Sequence, residues 1–312
     1  MQSTNDSSET SQAAVITVNY FKAKRLVQSI RSLAAQDIYG QLAIAVVDNS
    51  CDPVQRSMLT SAPEMKHVGK LIFADRNLGY TKGCNLGGAA LPKTPYVLLS
   101  NPDIIWDDRE SVRKLIEIAD AEPDIGVLAP LQVEDSGRYE EIVRNFPTLM
   151  HQILRRTRKG ADEKHLLAPL LARDGIQVID ADWLQSSAVL VRRSLWDAIG
   201  GLNESYFLFM SDIELCLQAW RFGYRVSVTS AVQVRSDGVR ASNVGPAKIL
   251  QSRALRMHVR DSLRFYLRHG FRRLSRDGTR HVAPQSQGSP DRAVRTEALT
   301  ASMGTNYPQR NG

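Results

Sequence analysis

Polar side chains that can bind cations or phosphate follow three apolar runs of the sequence, each at the point where the run ends. The run at 96–100 stops at Asn101-Pro102-Asp103, since proline has no amide donor to continue a strand. Asn19 ends the first apolar run, and Asp48 ends the second. A carboxylate at the end of a buried strand can hold a hard cation and the phosphate that the cation carries. The alternative for Asp103 is a turn aspartate that caps the chain locally.

Two more segments contain residue types that suit catalysis. A glycine-rich stretch includes Asn77, Gly79 and Asn85, and its glycines allow either close approach to a ligand or tight helix–sheet packing. It does not follow the first strand as a dinucleotide fingerprint would, and it lacks the Gly-Lys-Ser/Thr of a P-loop. Asp212 falls in the first turn of a predicted helix, where it can act as a general base or simply complement the helix dipole.

Alternating strands and helices position these residues. Apolar runs predict strands, and apolar residues at spacings of three and four predict helices. Their alternation predicts an α/β fold with a mostly parallel central sheet flanked by helices. Ser211 and Glu214 form the pattern of a capping box at the start of the helix that carries Asp212. The predicted strands cover residues 14–20, 42–47, 71–73, 96–100, 126–131, 178–179, 188–191 and 225–234.

The composition is that of a globular protein. The chain has 312 residues, of which 43% are hydrophobic, and its three scattered cysteines show neither metal nor disulfide spacing. The first 13 residues lack the apolar core of a leader, which predicts a cytoplasmic protein. We expect a disordered tail over 1–13, a main domain over 14–242, a basic helical extension over 243–275 and a second disordered tail over 276–312.

The order and spacing of the motifs resemble those of family 2 glycosyltransferases, which are inverting enzymes with the GT-A fold. The likeness runs from about Ala14 to Ser242. It is greatest to the rhamnosyltransferase-like branch, which builds bacterial surface polysaccharides from dTDP- or UDP-sugars. The resemblance implies a GT-A domain with a C-terminal helical extension. It also implies transfer of a sugar, with rhamnose as one candidate, from a nucleotide-diphosphate donor to a saccharide or lipid-linked acceptor.

The resemblance implies roles for the matched residues as well. Asp212 matches the catalytic base of the family. Asp103 matches the last residue of the acidic metal motif, so it would hold Mg²⁺ or Mn²⁺ against the diphosphate. The other matched positions would bind the nucleotide-sugar, and they are Asn19, Asp48, Asn77, Gly79, Asn85 and Asn101.

Two positions depart from the family pattern. Ser211 replaces the glutamate that usually precedes the base, and Arg235 replaces a histidine that can complete the metal site. A guanidinium cannot ligate a metal, but it can grip a diphosphate. We therefore hypothesise that Arg235 takes over part of the cation's role and that the metal requirement is weak, so transfer should survive excess chelator. The alternative is a surface arginine paired with Asp237.

The spacing of apolar and basic residues over 247–274 predicts one long basic amphipathic helix. The net charge of the whole chain is +7. Such a helix can lie on an anionic membrane, which would place the protein at the inner face of the cell membrane. The alternative is a helix that packs on the main domain and exposes a solvated basic edge. The arginines recur every four residues, at Arg256, Arg260, Arg264, Arg268 and Arg272.

Other functions are compatible with parts of this pattern. A non-catalytic nucleotide- or saccharide-binding module, or an impaired glycosyltransferase homologue, would keep the fold without using Asp212. A nucleotidyltransferase would need a glycine-rich loop with arginine after the first strand, and residues 19–25 do not supply one. Positive charge alone would suit nucleic acid, but aromatic and basic residues are not interleaved as in single-strand binders, so we expect no nucleic-acid partner.

Overall fold

The structure is a computed structural model that describes most of the main domain and the helix that follows it. The expected disordered tails fall largely on residues 1–10 and 277–312, which lie outside the described residues. The described residues are 11–147, 167, 175, 178–238, 253–270, 274 and 276, with the side chains of 253–255 not included.

Within the described residues, ten strands form one large sheet and one small sheet. They are β1 (Ala13–Asn19), β2 (Leu42–Asp48), β3 (Lys70–Phe73), β4 (Tyr96–Ser100), β5 (Ile125–Glu134), β6 (Val143–Arg144), β7 (Val178–Asp180), β8 (Trp183–Leu184), β9 (Ala188–Arg192) and β10 (Arg225–Ser236). The eight-stranded sheet has the order β3-β2-β1-β4-β9-β5-β10-β7, and β6 pairs with β8.

Helices follow most of the strands. They are α1 (Ala23–Ala34), α2 (Pro53–Ser61), α3 (Tyr80–Ala89), α4 (Ser111–Ala121), α5 (Arg193–Ile199), α6 (Ser211–Arg221) and α7 (Arg253–His269). The predicted C-terminal helix over 247–274 is therefore seen as the shorter α7 within the described residues. No helix in the described ranges combines the length and apolar content needed to cross a membrane.

The large sheet is mostly parallel, which confirms the predicted fold class. Parallel pairs join β1 to β2 and β4, β2 to β3, and β5 to β10. The exception at the centre is β9, which runs antiparallel to both β4 and β5. Because the carboxyl ends of parallel strands meet at one edge, the polar residues that follow β1, β2 and β4 are brought to the same place.

Both faces of the sheet are covered, so the central strands are apolar throughout. Val15 and Leu98 point into one hydrophobic cluster, whereas their neighbours Ile16 and Leu99 point into the other. This alternation is the two-residue period of a strand, with helices packed on each side. Burial of both faces fixes the register, and the register fixes where each strand end lies.

The start of α6 differs from the predicted capping box. Met210, in the left-handed region with φ 68°, precedes the helix, and the Ser211 hydroxyl donates to the Leu208 carbonyl at 3.2 Å. The side chain of Glu214 bonds instead to His269 and other buried groups. The capping-box prediction is wrong because tertiary partners of Glu214 outcompete the local pairing.

Candidate active site

Three of the predicted site residues meet at the carboxyl edge of the large sheet. β1 ends at Asn19 and β2 at Asp48, and the register places these two residues side by side. β4 ends one residue before Asn101. The backbone N–H of Asn101 donates to the Ser187 carbonyl at 2.7 Å, which ties this strand end to the loop before β9.

Asp48 is buried at this edge and is held by two neighbours. Asn19 Nδ2 donates to Asp48 Oδ1 at 2.8 Å, and the Ser50 hydroxyl donates to the same oxygen at 2.6 Å. The backbone N–H of Ser50 adds a third bond at 3.2 Å. These bonds orient a carboxylate, which acts only as an acceptor when ionised. The arrangement suits recognition of a hydroxyl or N–H group on a ligand.

Gly79 lies where α3 meets the loop before α6. Its φ is +83°, and a Cβ atom there would lie 2.5 Å from the carbonyl oxygen of Phe207, so only glycine fits. Asn77 Oδ1 accepts from the Gly79 N–H at 2.9 Å, and Asn49 Nδ2 donates to the Gly79 carbonyl at 2.9 Å. Asn77 and Gly79 thus fix the backbone at the start of α3.

Asn85 contacts protein backbone on the side of α3 that faces the loop after α5. Its Nδ2 donates to the Leu202 carbonyl at 2.8 Å, and its Oδ1 accepts from the Leu202 N–H at 2.9 Å. Gly201 approaches so closely that an added Cβ would lie 2.6 Å from Asn85 Oδ1. This geometry gives Asn85 a structural role, whereas its assignment to nucleotide binding stays a prediction.

Asp103 lies in a charged cluster built from three distant parts of the chain. Lys22 Nζ is 3.1 Å from Asp103 Oδ2, and it is 3.0 and 2.8 Å from the two carboxylate oxygens of Asp237. Burial raises the pKa of Asp103, and the nearby Asp237 carboxylate adds to this, although Lys22 opposes it. Burial alone would lower the pKa of Lys22, but the two carboxylates outweigh burial and raise it.

The carboxylate oxygens of this cluster are suited to bind a divalent cation. The two carboxylates already flank one positive group, the ammonium of Lys22, which lies where a metal cation would bind. Mg²⁺ is usually held by one or two carboxylates together with substrate phosphates, and Mn²⁺ favours the same oxygen ligands. Among the residues described, no group of three or more His, Cys, Asp or Glu could hold a metal alone. Asp103 and Asp237 are therefore the residues that would hold a cation, in company with a diphosphate.

Arg235 does not contact Asp103 or Asp237. Its guanidinium donates to both carboxylate oxygens of Asp107, at 2.9 and 2.8 Å, and to Asp135 at 3.2 Å. The suggested Arg235–Asp237 pair is wrong, because Asp237 pairs with Lys22. The cationic group beside Asp103 is thus Lys22, which the sequence pattern did not single out because it lies 81 positions from Asp103 and 215 from Asp237.

Asp212 is a second partly buried carboxylate with a different environment. Burial raises its pKa from 3.8 to about 6, against opposing effects from backbone N–H groups and the positive charge of Arg144. The Ile213 N–H donates to Asp212 Oδ1 at 2.9 Å. Burial also raises the pKa of Tyr80, and the charge of Asp212 contributes to that shift. A carboxylate with a pKa near 6 is ionised at neutral pH and can still accept a proton efficiently.

The loop that positions Asp212 is anchored by α7. The backbone N–H groups of residues 207–209 all donate to Asp261 Oδ2, at 3.0, 3.1 and 3.2 Å. Asp261 is fully buried, with 0% of its surface exposed. Met210 then takes its left-handed conformation, which costs a bulky residue about 1–3 kcal/mol and persists only where the surroundings impose it. Sequence reasoning missed Asp261 because no local pattern links it to the loop.

Glu214 and His269 form a buried pair between α6 and α7. Glu214 Oε2 lies 2.5 Å from His269 Nε2 and accepts from the Tyr206 hydroxyl at 3.2 Å. Burial would raise the pKa of Glu214, but the hydrogen bond and charge of His269 together with Gln218 and Arg268 outweigh burial and lower it. The side chains of His269 and Glu214 are only 2% and 4% exposed, so this acid joins two helices.

A surface cavity of about 450 Å³ lies elsewhere, next to Gly201 and the Glu214 side of α6. None of the strand-end residues described above lines it. The carboxyl edge of the sheet concentrates the acidic and amide groups, so it is the better candidate for chemistry.

Comparison with known proteins supports the fold and the family. The chain is 26% identical over 256 residues to N-acetylglucosaminyl-diphospho-decaprenol L-rhamnosyltransferase of Mycobacterium tuberculosis, covering 76% of this chain and 79% of that protein. It is 24% identical over 173 residues to the rhamnosyltransferase WbbL of Escherichia coli, covering 55% of this chain and 62% of WbbL.

A solved structure shares the fold. The mannosyltransferase PcManGT of Pyrobaculum calidifontis, in complex with GDP-Man and Mn²⁺, aligns with a TM-score of 0.54 at 15% identity. The alignment covers 82% of this chain and 65% of that one, so this chain spans less than two thirds of its length. Residues 14–171, half of the chain, match the family described as Glycosyl transferase family 2. This chain therefore belongs to glycosyl transferase family 2.

Proposed function

We propose that this glycosyltransferase moves rhamnose or a related sugar from a dTDP- or UDP-linked donor to a saccharide on a lipid-linked acceptor. The transfer would invert the anomeric centre and serve the assembly of a surface polysaccharide. The observation that carries the proposal is Asp212, a partly buried carboxylate at the start of α6 whose pKa burial raises to about 6. The names of the two rhamnosyltransferase relatives support the choice of sugar.

Asp212 is the base in the proposed reaction. It accepts the proton of an acceptor hydroxyl as that oxygen attacks the anomeric carbon, and the nucleoside diphosphate leaves from the opposite face. A positioned carboxylate of this kind is worth about 10²–10⁴ in rate. Arg144 and the N–H of Ile213 keep Asp212 ionised at neutral pH, since both oppose the effect of burial on its pKa.

The residues at the ends of β1, β2 and β4 bind the donor in this proposal. Asp48, oriented by Asn19, accepts hydrogen bonds from the nucleoside. Asn101 and Gly79 line the path towards the diphosphate. A divalent cation held by Asp103 and Asp237 would supply positive charge to the leaving group. We expect Mg²⁺ or Mn²⁺ in this role, because both favour carboxylate and phosphate oxygens.

A donor and acceptor screen tests the proposal. The protein is incubated with dTDP-, UDP- and GDP-sugars and a lipid-linked N-acetylglucosaminyl diphosphate, and the product's anomeric configuration is read by NMR. We expect transfer from a dTDP- or UDP-sugar with inversion. Nucleotide binding without transfer or hydrolysis of any donor would contradict it and favour the non-catalytic binding module.

The geometry of α7 also supports contact with an anionic membrane. Val259, Leu263 and Leu267 form one outward line on the helix and are 51%, 53% and 68% exposed. Exposed arginines adjoin this line, whereas the opposite face packs on the domain through Phe265 and Asp261. An aliphatic line bordered by arginine matches the boundary between acyl chains and anionic headgroups. A lipid-linked acceptor would then reach a peripheral enzyme at the cytoplasmic face of the membrane.

Vesicle sedimentation tests this surface without disturbing the docked face of α7. The double variant Leu263→Glu/Leu267→Glu should lose most binding to phosphatidylglycerol-containing vesicles, because it opposes both apolar insertion and attraction. Val54→Glu is the matched control, since the 57% exposure of Val54 on α2 lies between those of Leu263 and Leu267. Equal vesicle binding by the double variant and the control would rule out the surface.

A further inference from the structure

The ammonium of Lys22 occupies the position between two carboxylates that a bound cation would take. It lies 3.1 Å from Asp103 Oδ2 and 2.8 Å from Asp237 Oδ2. Lys22 immediately precedes α1, whereas Asp103 follows β4 and Asp237 follows β10. The side chains of Lys22, Asp103 and Asp237 are 27%, 15% and 21% exposed, so the cluster is shielded but can be reached from solvent.

The charge that Lys22 supplies is smaller than the charge of the two acids it contacts. Its ammonium brings one positive charge to Asp103 and Asp237, whereas a divalent cation would bring two. The neighbouring arginines are engaged: Arg25 donates to the Asp103 backbone carbonyl and to Asp135, and Arg235 donates to Asp107 and Asp135. A nucleoside diphosphate would add further negative charge, which a divalent cation offsets better than the ammonium of Lys22 alone.

Lysine is suited to exchange with a cation. Its ammonium is a compact charge on a flexible stem, and lysine binds phosphate as a point charge. If a divalent cation enters between Asp103 and Asp237, the released Lys22 can turn to a phosphate oxygen. The cluster would then carry two positive groups against the diphosphate in place of one.

We propose that Lys22 is a displaceable cation that links metal entry to donor binding, with Asp237 as the second acidic ligand beside Asp103. This inference rests on the proposed use of a nucleoside-diphosphate donor. Without nucleotide, a divalent cation must compete with the ammonium and binds weakly. With nucleotide, the phosphate oxygens complete the ligands of the cation and receive Lys22, so metal and nucleotide strengthen each other's binding by the same factor.

Metal binding in the absence of nucleotide gives the first test. Free Mn²⁺ is measured by EPR during titration of the wild type, Lys22→Met and Lys24→Met, the last being a control at an exposed lysine of α1. We expect Lys22→Met to bind Mn²⁺ at least ~10-fold more tightly, since its side chain keeps the length but loses the charge. Addition of Asp237→Asn to Lys22→Met should abolish the gain. No gain in Lys22→Met over Lys24→Met would overturn the proposal.

The wild type gives a second test that needs no variant to fold. Isothermal titration with dTDP or UDP is run with and without Mn²⁺. We expect Mn²⁺ to tighten nucleotide binding by ~10-fold or more in the wild type and by less in Lys22→Met. Independent binding of metal and nucleotide in the wild type would count against Lys22 exchange. Failure of every nucleotide to bind would contradict the proposed donor instead, and the EPR titration would still decide the role of Lys22.

Discussion

Asp103 and Asp212 are both partly buried acids, but their surroundings differ in one respect. Asp103 shares an ammonium with a second carboxylate, at 3.1 Å from Lys22. Asp212 has no ion pair of this kind among the described residues, and its oxygen accepts from a backbone N–H. Burial raises the pKa of both acids, and that of Asp212 reaches about 6.

The difference separates two tasks that one reaction needs. A carboxylate that shares a cation with another acid is arranged to hold positive charge, which suits the diphosphate side. A partly buried carboxylate that shares no ammonium with another acid is arranged to accept a proton, which suits the acceptor side. Environment rather than residue type assigns the roles, so changes to that environment test the assignment.

Removal of the Asp212 charge should have the largest effect. Asp212→Asn should lower kcat by about 10²–10⁴, because the acceptor hydroxyl loses its base. Nucleotide affinity should stay within about twofold, since the strand-end residues are untouched. Single-turnover transfer assays and calorimetry measure the two effects. Asp197→Asn on α5 is the control, and wild-type transfer by Asp212→Asn would exclude this residue as the base.

The same substitution should stabilise the fold at neutral pH. The folded pKa of Asp212 is raised to about 6, so its charged form is disfavoured on folding and stability falls as pH rises from about 4 to 6. Above pH 6 the full cost is present, roughly 1–3 kcal/mol for a shift of this size in a partly exposed group. Urea unfolding at pH 7.5 should therefore show Asp212→Asn to be more stable than the wild type. A loss of stability would contradict the raised pKa.

Asp261 gives the next largest effect and acts on the acceptor side only. Asp261→Asn removes the charge that accepts three backbone N–H groups, so we expect a loss of about 2–4 kcal/mol in unfolding free energy. Transfer should fall by ~10-fold, while metal binding at Asp103 is unchanged. Denaturant unfolding and the Mn²⁺ titration measure these. The neighbouring Ser262→Ala is the control, and a loss below about 0.5 kcal/mol would show that the N–H groups have other partners.

The pH dependence of kcat/KM should follow the ionisation of Asp212. Activity requires its ionised form, so kcat/KM should be constant above about pH 6 and fall as pH drops through 6. The fall should approach tenfold per pH unit, and the residual activity of Asp212→Asn should lack it. A wild-type rate that stays flat from pH 5 to 8 would assign the limiting proton transfer to another group.

Arg235 should show the smallest effect. Its guanidinium binds Asp107 and Asp135 at the surface, and such pairs contribute about 0–1 kcal/mol. Arg235→Gln should change nucleotide affinity and metal requirement by less than about twofold, as measured by calorimetry. A tenfold loss of nucleotide affinity would restore the hypothesis that Arg235 grips the diphosphate.

The sheet and its strand ends followed from local pattern. Apolar runs such as 96–100 mark strands, and a proline or polar residue marks where each ends, so Asp48 and Asp103 could be placed at one edge before the fold was known. That inference needs only the alternation of strands and helices. The antiparallel insertion of β9 between β4 and β5 could not be predicted, because the sequence of a strand does not specify which strands it pairs with.

The partners of the charged groups could not be predicted for the same reason. Lys22 meets Asp237 across 215 positions, and Asp261 meets the 207–209 backbone across more than 50. The local sequence predicted a capping box for Glu214, whereas in the fold Glu214 pairs with the buried side chain of His269. Long-range pairing thus decides what each acid does, while sequence pattern decides only where it lies.

The three hydrogen bonds to Asp261 bear on the order in which the protein can become active during synthesis. The loop before Asp212 leaves the ribosome more than 50 residues ahead of Asp261, which anchors it. A nascent chain with every strand of the sheet complete would still lack the anchor for its base. We therefore expect ribosome-bound chains that end before α7 to bind nucleotide yet transfer no sugar, which would keep unfinished enzyme from consuming donor.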